Sequence, residues 1–401
     1  MKNNKIVLID ELQPGSYVIE VYSERVSLNV TSSGWVTSNK AIQMLKDKGV
    51  EKVLVDPNRS QPIKTNVAAE TAEHKPKTNN RYQYKTTDIK LEMGRAKRLY
   101  QGALSLQKRI LNEVKLGQNI NLSAVKKTCL EMIDSVFYNP NALPCLTALR
   151  EKESYLFQHS LNVCILAAMF SRYLKKTDEE IELIAQAAFL HDVGKVQIPP
   201  EILDKPGRLN ADEFEIIKQH VQFGVDLLKK HTDLGSDALN VIAQHHEQLS
   251  GGGYPAGLKG EQICQAARIV SIVDIYDALT SERVYKKGMT AAQAYKIMLK
   301  MSEDALDKAL VKQFINCMGI YPLGSLVLLS NKRLAVVVEN NSQWPIKPKV
   351  KTFYHTVSRH YTEVKECDLS KLSNLEIEAS VQADEYNIPI KKLYDELLFP
   401  A

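Results

Sequence analysis

The chain has 401 residues, 44% of them hydrophobic and 25% charged, with a formal net charge of +5. That length holds two or three domains, and the composition is typical of a soluble globular protein. So mild a positive balance permits anionic substrates but argues for neither a nucleic-acid partner nor a membrane surface. The opening "MKNNKIVLIDELQPG" lacks the apolar stretch of a signal peptide. The longest apolar runs, such as "CILAAMF" and "AVVV", fall far short of a bilayer span, so no membrane insertion is expected. Six cysteines without a CxxC pair read as reduced thiols of a cytoplasmic protein.

Residues 1–55 are expected to form a small α+β domain. "KIVLIDEL" and "SYVIEVYSERVSLNV" alternate or run β-branched, while "SNKAIQMLKDKGVEKVLVD" reads as a helix stopped near Gly49 and then a short strand. Residues 56–90 are polar and rich in Pro, Asn, Lys and Thr; they bury little and are expected to be a flexible linker. The helical period returns at about residue 91 and runs to about 317, giving a helical connector over 91–144 and a helical main domain over 145–318. Beyond it, "MGIYPLGSLVLLSNKRLAVVVEN" carries β-branched runs with turn residues at "SNKR" and "ENNSQ". Residues 319–401 are therefore expected to hold a β-hairpin or small sheet, with a terminal helix in "DEYNIPIKKLYDELLFP". The fold class expected is mainly α, with a small N-terminal α+β domain and a short β-containing C-terminal segment.

Six of the nine histidines, with two aspartates, fall between residues 159 and 274. They are His159 in "QHSLN", His191 and Asp192 in "LHDVGK", His220 in "KQHVQFG", His245 and His246 in "QHHEQ", and Asp274 in "SIVDIYD"; His231 is set aside. Five helices are expected to carry them, over 154–174, from Thr177 to near Gly194, from Asn210, and over about 236–249 and 263–281. T-D-E-E at Thr177 reads as a capping box, and Asn210 has Glu213 three residues on. His191 lies three residues after Ala188, His220 three after Ile217, His246 four after Ile242, and Asp274 four after Val270. Residues three or four apart share a helix face, so these polar groups point inward with the apolar stripe.

Buried unpartnered, such groups would cost several kcal/mol each; a shared metal site offsets that cost. Imidazole nitrogen with carboxylate oxygen suits iron, manganese, zinc, nickel or cobalt. Adjacent helical residues diverge by about 100°, so His245 and His246 are expected to serve different ions, and the adjacent His191 and Asp192 pose the same difficulty of approach. A carboxylate can bridge, which places Asp192 between two divalent ions, the usual apparatus for cleaving phosphate esters. Taken singly, His159 and His220 read as ordinary histidines; in this order and on inward faces they do not.

The runs "LHDVGKVQIPPEILDKPGRLN", "HHEQLSGGGYPAGLKG" and "ARIVSIVDIYDALTSERVY" resemble the HD-GYP family of bacterial cyclic dinucleotide phosphodiesterases, over residues 145–318. "IDELQPGSYVIE" and "GVEKVLVD" resemble the small domain of unknown function often found ahead of it, whose role would be to regulate, dock or dimerise. The resemblance implies a helical catalytic domain with two or three divalent metals, often iron or manganese, with magnesium also compatible. It implies hydrolysis of cyclic di-GMP to linear pGpG, and often on to GMP. By motif position His159, His191, Asp192, His220, His245, His246 and Asp274 would be ligands, and Lys195 would stabilise charge on the scissile phosphate. Arg283 and Lys286 in "SERVYK" would hold substrate phosphates. Gly253, Tyr254 and Pro255 form the family signature, at the substrate lip of the pocket or docking partner domains such as diguanylate cyclases.

Three positions depart from the family. Tyr155 stands where three-metal members carry a glutamate, which favours two metals; Val221 follows His220 in place of proline; Ser250 replaces an aspartate before the signature glycines. In the mechanism so implied, two ions share Asp192 and activate a water that attacks phosphorus, with Lys195 opposing the charge that develops. The rival readings are a phosphodiesterase for 3′,3′-cyclic GMP-AMP and a cyclic dinucleotide sensor or docking module without turnover.

Overall fold

The structure, a computed structural model, describes residues 4–13, 16–22, 34–36, 39–47, 50–57, 59–60, 89–147, 155–282, 287–341, 343–389 and 397. The chain divides into two compact units, residues 1–76 and 77–401. In the first, strands β1 (Lys5–Leu8), β2 (Tyr17–Tyr22), β3 (Gly34–Trp35) and β4 (Lys52–Val55) form an antiparallel sheet in the order β1-β4-β2-β3. Helix α1 (Asn39–Asp47) precedes β4, in the order read from the sequence. Its small core gathers Ile9, Val18, Val21, Ile42, Val53 and Val55. Gly49, and all but the ends of the expected linker, lie outside the described residues.

The second unit is helical through α2 (Ile89–Lys115), α3 (Leu122–Tyr138), α4 (Ala142–Thr147), α5 (Tyr155–Tyr173), α6 (Asp178–Leu190), α7 (Pro200–Leu203), α8 (Ala211–Lys218), α9 (His220–His231), α10 (Ser236–Gln244), α11 (Gln265–Thr280), α12 (Ala291–Met301) and α13 (Lys308–Met318). Both expected capping boxes form, Thr177 with Glu180 at the start of α6 and Asn210 with Glu213 at the start of α8. Helix α5 is apolar on nearly every face and buried from Gln158 to Ser171, which makes it the central helix. It packs against α6 and α11, and α10 packs against α6. Each fully buried Phe or Leu there, such as Phe170 and Phe189, contributes roughly 1.5–3 kcal/mol. These four helices form the frame of the histidine cluster.

The C-terminal segment is a five-stranded antiparallel sheet of β5 (Leu326–Leu329), β6 (Arg333–Glu339), β7 (Lys349–His355), β8 (His360–Asp368) and β9 (Ile377–Ser380), in the order β8-β7-β6-β5-β9. The turn at "SNKR" joins β5 to β6, and "ENNSQ", whose Ser342 lies outside the described residues, comes between β6 and β7 in the chain. Both faces are apolar: Leu334, Val336 and Phe353 pack on one, Val327, Ala335 and Val350 on the other. Residues 383–386 form a single 3₁₀ turn, and most of the expected terminal helix lies outside the described residues. Among the described residues, no helix is long and apolar enough to cross a membrane.

Candidate metal centre

A helix leaves its last carbonyls without partners. Around the site, three helix ends meet this need with a histidine. Past α6, His191 Nδ1 lies 2.7 Å from Ala188 O; past α8, His220 Nδ1 lies 2.6 Å from Ile217 O; past α10, His245 Nδ1 lies 2.6 Å from Ile242 O. A carbonyl only accepts, so each Nδ1 carries the proton and each Nε2 keeps a bare lone pair. All three Nε2 atoms, and Asp192 Oδ1, are buried without a hydrogen-bond partner. The rings converge, with centroids 5.0 Å apart for His191 and His245 and 5.7 Å for His220 and His245. Inward lone pairs at the negative ends of three helices are surroundings for cations.

The ligand atoms fall into two groups, Asp192 with His220, His245 and His246, and Asp192 with His159 and His191; within each, the atoms lie within 4.8 Å of one another. Asp192 belongs to both. Its Oδ2 is 3.3 Å from His191 Nε2 and 3.5 Å from His159 Nε2, and its Oδ1 is 3.4 Å from His220 Nε2. The bare lone pairs of His191 and His220 facing carboxylate oxygens leave acceptor against acceptor, and a cation between them removes the conflict. The residues present therefore fit divalent metal ions. Asp274 on α11 joins the groups, its Oδ1 2.9 Å from His159 Nε2 and its Oδ2 3.9 Å from His246 Nδ1.

One expectation is corrected. The geometry does not divide His245 from His246: both fall in the group with Asp192 and His220, while Asp192 falls with His191 as well, as a bridging carboxylate would. The argument assumed helical backbone, but α6 ends at Leu190 and α10 at Gln244, short of Gly194 and residue 249. Asp192 has left the helix at φ −100 and ψ 7, and the rings of His245 and His246 lie tilted 41° with centroids 4.1 Å apart. The inference of two ions then rests on Asp192's place in both groups.

Burial opposes the charge on Asp192, but His191, Lys195 and His220 outweigh it and hold the carboxyl well below its ordinary range. Asp274 is lowered against burial by the His159 hydrogen bond. Burial lowers His220 to about 4 and His246 to about 3, and lowers His245 well below its ordinary value. Three of the candidate ligands are thus neutral, the form that can ligate, at neutral pH. His159 is opposite: burial disfavours its charge, but Asp274 and Asp277 raise it to about 9 in the metal-free protein. His220 and His246 sit below the unfolded value of 6.5, so their stabilisation is full above 6.5 and lost as pH falls toward 4 and 3. That of His159 is full below 6.5 and lost as pH rises through 9. Metal-free protein is expected to show a stability maximum near neutrality, checked by urea melts from pH 4 to 9.

Asp277 was missed from the sequence. It is fully buried, and its Oδ2 accepts from His159 Nδ1 at 2.8 Å and from Ser281 Oγ at 3.0 Å. A carboxylate behind a ligand imidazole fixes its tautomer and aims Nε2 into the cluster. The available signal was its spacing, three residues after Asp274 on the same face of α11. Asp277→Asn is expected to weaken metal binding about 10- to 100-fold, read by competition with a chromogenic chelator.

The 3₁₀ turn Val193–Gln197 places Lys195 Nζ 2.5 Å from Asp192 Oδ2. Gly194 serves close packing: a Cβ there would stand 2.0 Å from His220 O, so only glycine seats this turn on α9. Gly253 likewise, as its Cβ would stand 2.3 Å from Gln248 N. Tyr254 lies against the cluster, its ring centroid 4.7 Å from His246, and Pro255 follows it. The loop is latched by Glu247, a second missed residue, which accepts from Ala256 N at 2.7 Å and Leu258 N at 2.9 Å. His231 binds Asn119 Oδ1 at 3.1 Å and is in neither ligand group. Arg283 and Lys286 lie outside the described residues.

Residues 144–310 match the HD domain family, residues 4–125 a domain of unknown function, DUF3391, and residues 326–388 a KOW domain associated with HD domains. The cyclic di-GMP phosphodiesterase PA4108 of Pseudomonas aeruginosa is 32% identical over 328 residues, covering 81% of this chain and 79% of that protein. The cyclic di-GMP phosphodiesterase response regulator RpfG of Xanthomonas campestris is 36% identical over 201 residues, 49% of this chain and 48% of that one. A Vibrio cholerae 3′3′-cGAMP-specific phosphodiesterase 2 is 35% identical over 178 residues, 44% of this chain and 32% of that one. With an HD domain behind a domain of unknown function, and with the first of these relatives matched along most of both lengths, this chain belongs to the HD-GYP family of HD-domain phosphodiesterases.

Proposed function

We propose that this chain is a cytoplasmic phosphodiesterase that opens cyclic di-GMP to linear pGpG. The observation that carries the reading is Asp192 shared by two ligand groups, with the Lys195 ammonium 2.5 Å away. Two divalent ions, iron or manganese foremost, would supply an activated water and neutralise charge at phosphorus. Asp192, His220, His245 and His246 would hold one, and Asp192, His159 and His191 the other, with Asp274 between. Lys195 is placed to turn from Asp192 to a phosphate oxygen as negative charge grows there. The ring of Tyr254 lies tilted 34° against that of His246, with centroids 4.7 Å apart. Six cysteines, all free, suit a reducing compartment.

A second reading, hydrolysis of 3′,3′-cyclic GMP-AMP, is favoured by the Vibrio cholerae relative, which is 35% identical over 178 residues. Both cyclic dinucleotides present the same sugar-phosphate ring, so side-by-side turnover by anaerobically purified, Mn(II)- or Fe(II)-loaded protein separates them. Faster cleavage of cyclic di-GMP is expected. Tight binding of either without hydrolysis, in protein shown to hold its metals, would replace the enzyme with a sensor.

A further inference from the structure

We propose that Phe214 and Lys218 form, with Tyr254, a shelf on the rim of the metal centre that stacks one guanine base of the substrate. The inference rests on the cyclic di-GMP reading. The Asn210–Glu213 capping box sets the start of α8, and Lys205 ties down Glu213 at 2.7 Å, so Phe214 is held in the first turn. Phe214 is 44% exposed. A lone exposed aromatic is ordinary on any surface; the neighbours of this one are not. Lys218, one turn on, holds its Nζ 5.0 Å from the Phe214 centroid and 5.8 Å from that of Tyr254. Glu215 steadies the ammonium at 2.6 Å. Tyr254 meets Phe214 edge to face at 6.3 Å, and its own ring lies 4.7 Å from His246 and 6.4 Å from His220. Two ring contacts thus lead from an open aromatic surface to two candidate metal ligands.

A phosphodiester at the metal centre carries its bases outward. An open aromatic surface beside a cation offers a base both a stacking partner and a hydrogen-bond donor. Stacking on one aromatic ring is worth roughly five- to 150-fold in affinity. A lysine ammonium adds selectivity, because guanine presents two acceptors, O6 and N7, where adenine presents N7 and a donor. Phe214 and Lys218 are four residues apart and act from the same helix face.

The test is steady-state kinetics of metal-loaded wild type, Phe214→Ala, Phe214→Tyr and Lys218→Met on cyclic di-GMP and on bis(p-nitrophenyl) phosphate, which has no purine. Cyclic di-AMP serves as a competitive inhibitor. Phe214→Ala is expected to raise the KM for cyclic di-GMP about tenfold with kcat within about twofold, and to raise the KM for bis(p-nitrophenyl) phosphate, whose single rings offer less stacking surface than a purine, by clearly less. Phe214→Tyr is expected to restore the KM, and Lys218→Met to shrink the preference for cyclic di-GMP over cyclic di-AMP. An unchanged KM for cyclic di-GMP in Phe214→Ala, or an equal rise for both substrates, overturns the shelf. Wild type that cleaves bis(p-nitrophenyl) phosphate but not cyclic di-GMP overturns the substrate reading, and the shelf with it.

Discussion

Asp192→Ala is expected to cut turnover of cyclic di-GMP by on the order of 10³-fold or more and to lower metal content more than His191→Ala does. The difference between the two variants is the informative part. His191 belongs to one ligand group, whereas Asp192 belongs to both and is almost fully buried between them. Removing the carboxylate takes a ligand from each group at once. It also removes the carboxylate faced by His159, His191, His220 and Lys195, so the site loses the one side chain that, among the described residues, is common to both groups. Removing His191 leaves the other group intact. The check is metal content by mass spectrometry alongside kcat for both variants. If Asp192→Ala retains as much metal as His191→Ala, the carboxylate is an ordinary ligand and the two-ion arrangement is wrong.

The clustering of the candidate ligands was legible because each member sits in or beside a helix with core spacing, and helical periodicity is what a sequence displays best. His159 on α5 and Asp274 on α11 lie within helices, as that argument requires. His245 and His246 reached the cluster for a reason the spacing hid. Their helix stops at Gln244, and the imidazole of His245 takes over a carbonyl that the helix leaves open. No residue type announces that stop; Gly251, the first glycine, comes seven positions later. Asp277 escaped notice because it acts through His159, across 118 residues of chain. Glu247 escaped because its partners are backbone amides, which carry no sequence signal of their own. The N-terminal order of strands and helix was readable from alternation, but the five-stranded C-terminal sheet was legible only as a hairpin or small sheet. Its outer pairing joins β5 to β9, and that contact links residues some fifty positions apart.

Chelating the metal-loaded protein is expected to lower its unfolding temperature by roughly 10 °C. Without metal, the folded state keeps four buried polar atoms without partners, Nε2 of His191, His220 and His245 and Oδ1 of Asp192. Each such atom costs about 1–3 kcal/mol of desolvation that the unfolded chain avoids by hydrating it. Ions that bind the folded site satisfy all four, and mass action turns that into stability. At a free ion concentration a thousand times the dissociation constant, one site adds about 4 kcal/mol. For a helical domain of this size, each kcal/mol moves the midpoint by roughly 2–4 °C. The check is calorimetry of loaded, chelated and reloaded protein, with His220→Ala as a comparison that removes one orphaned nitrogen along with one ligand. That variant is expected to show a smaller metal-dependent shift than wild type. A midpoint that does not respond to chelation, in protein shown to have lost its metal, would mean that the folded state satisfies these atoms in some other way. The tautomer argument drawn from the three backbone carbonyls would then fail with it, since a satisfied Nε2 would need a donor that none of the described residues supplies.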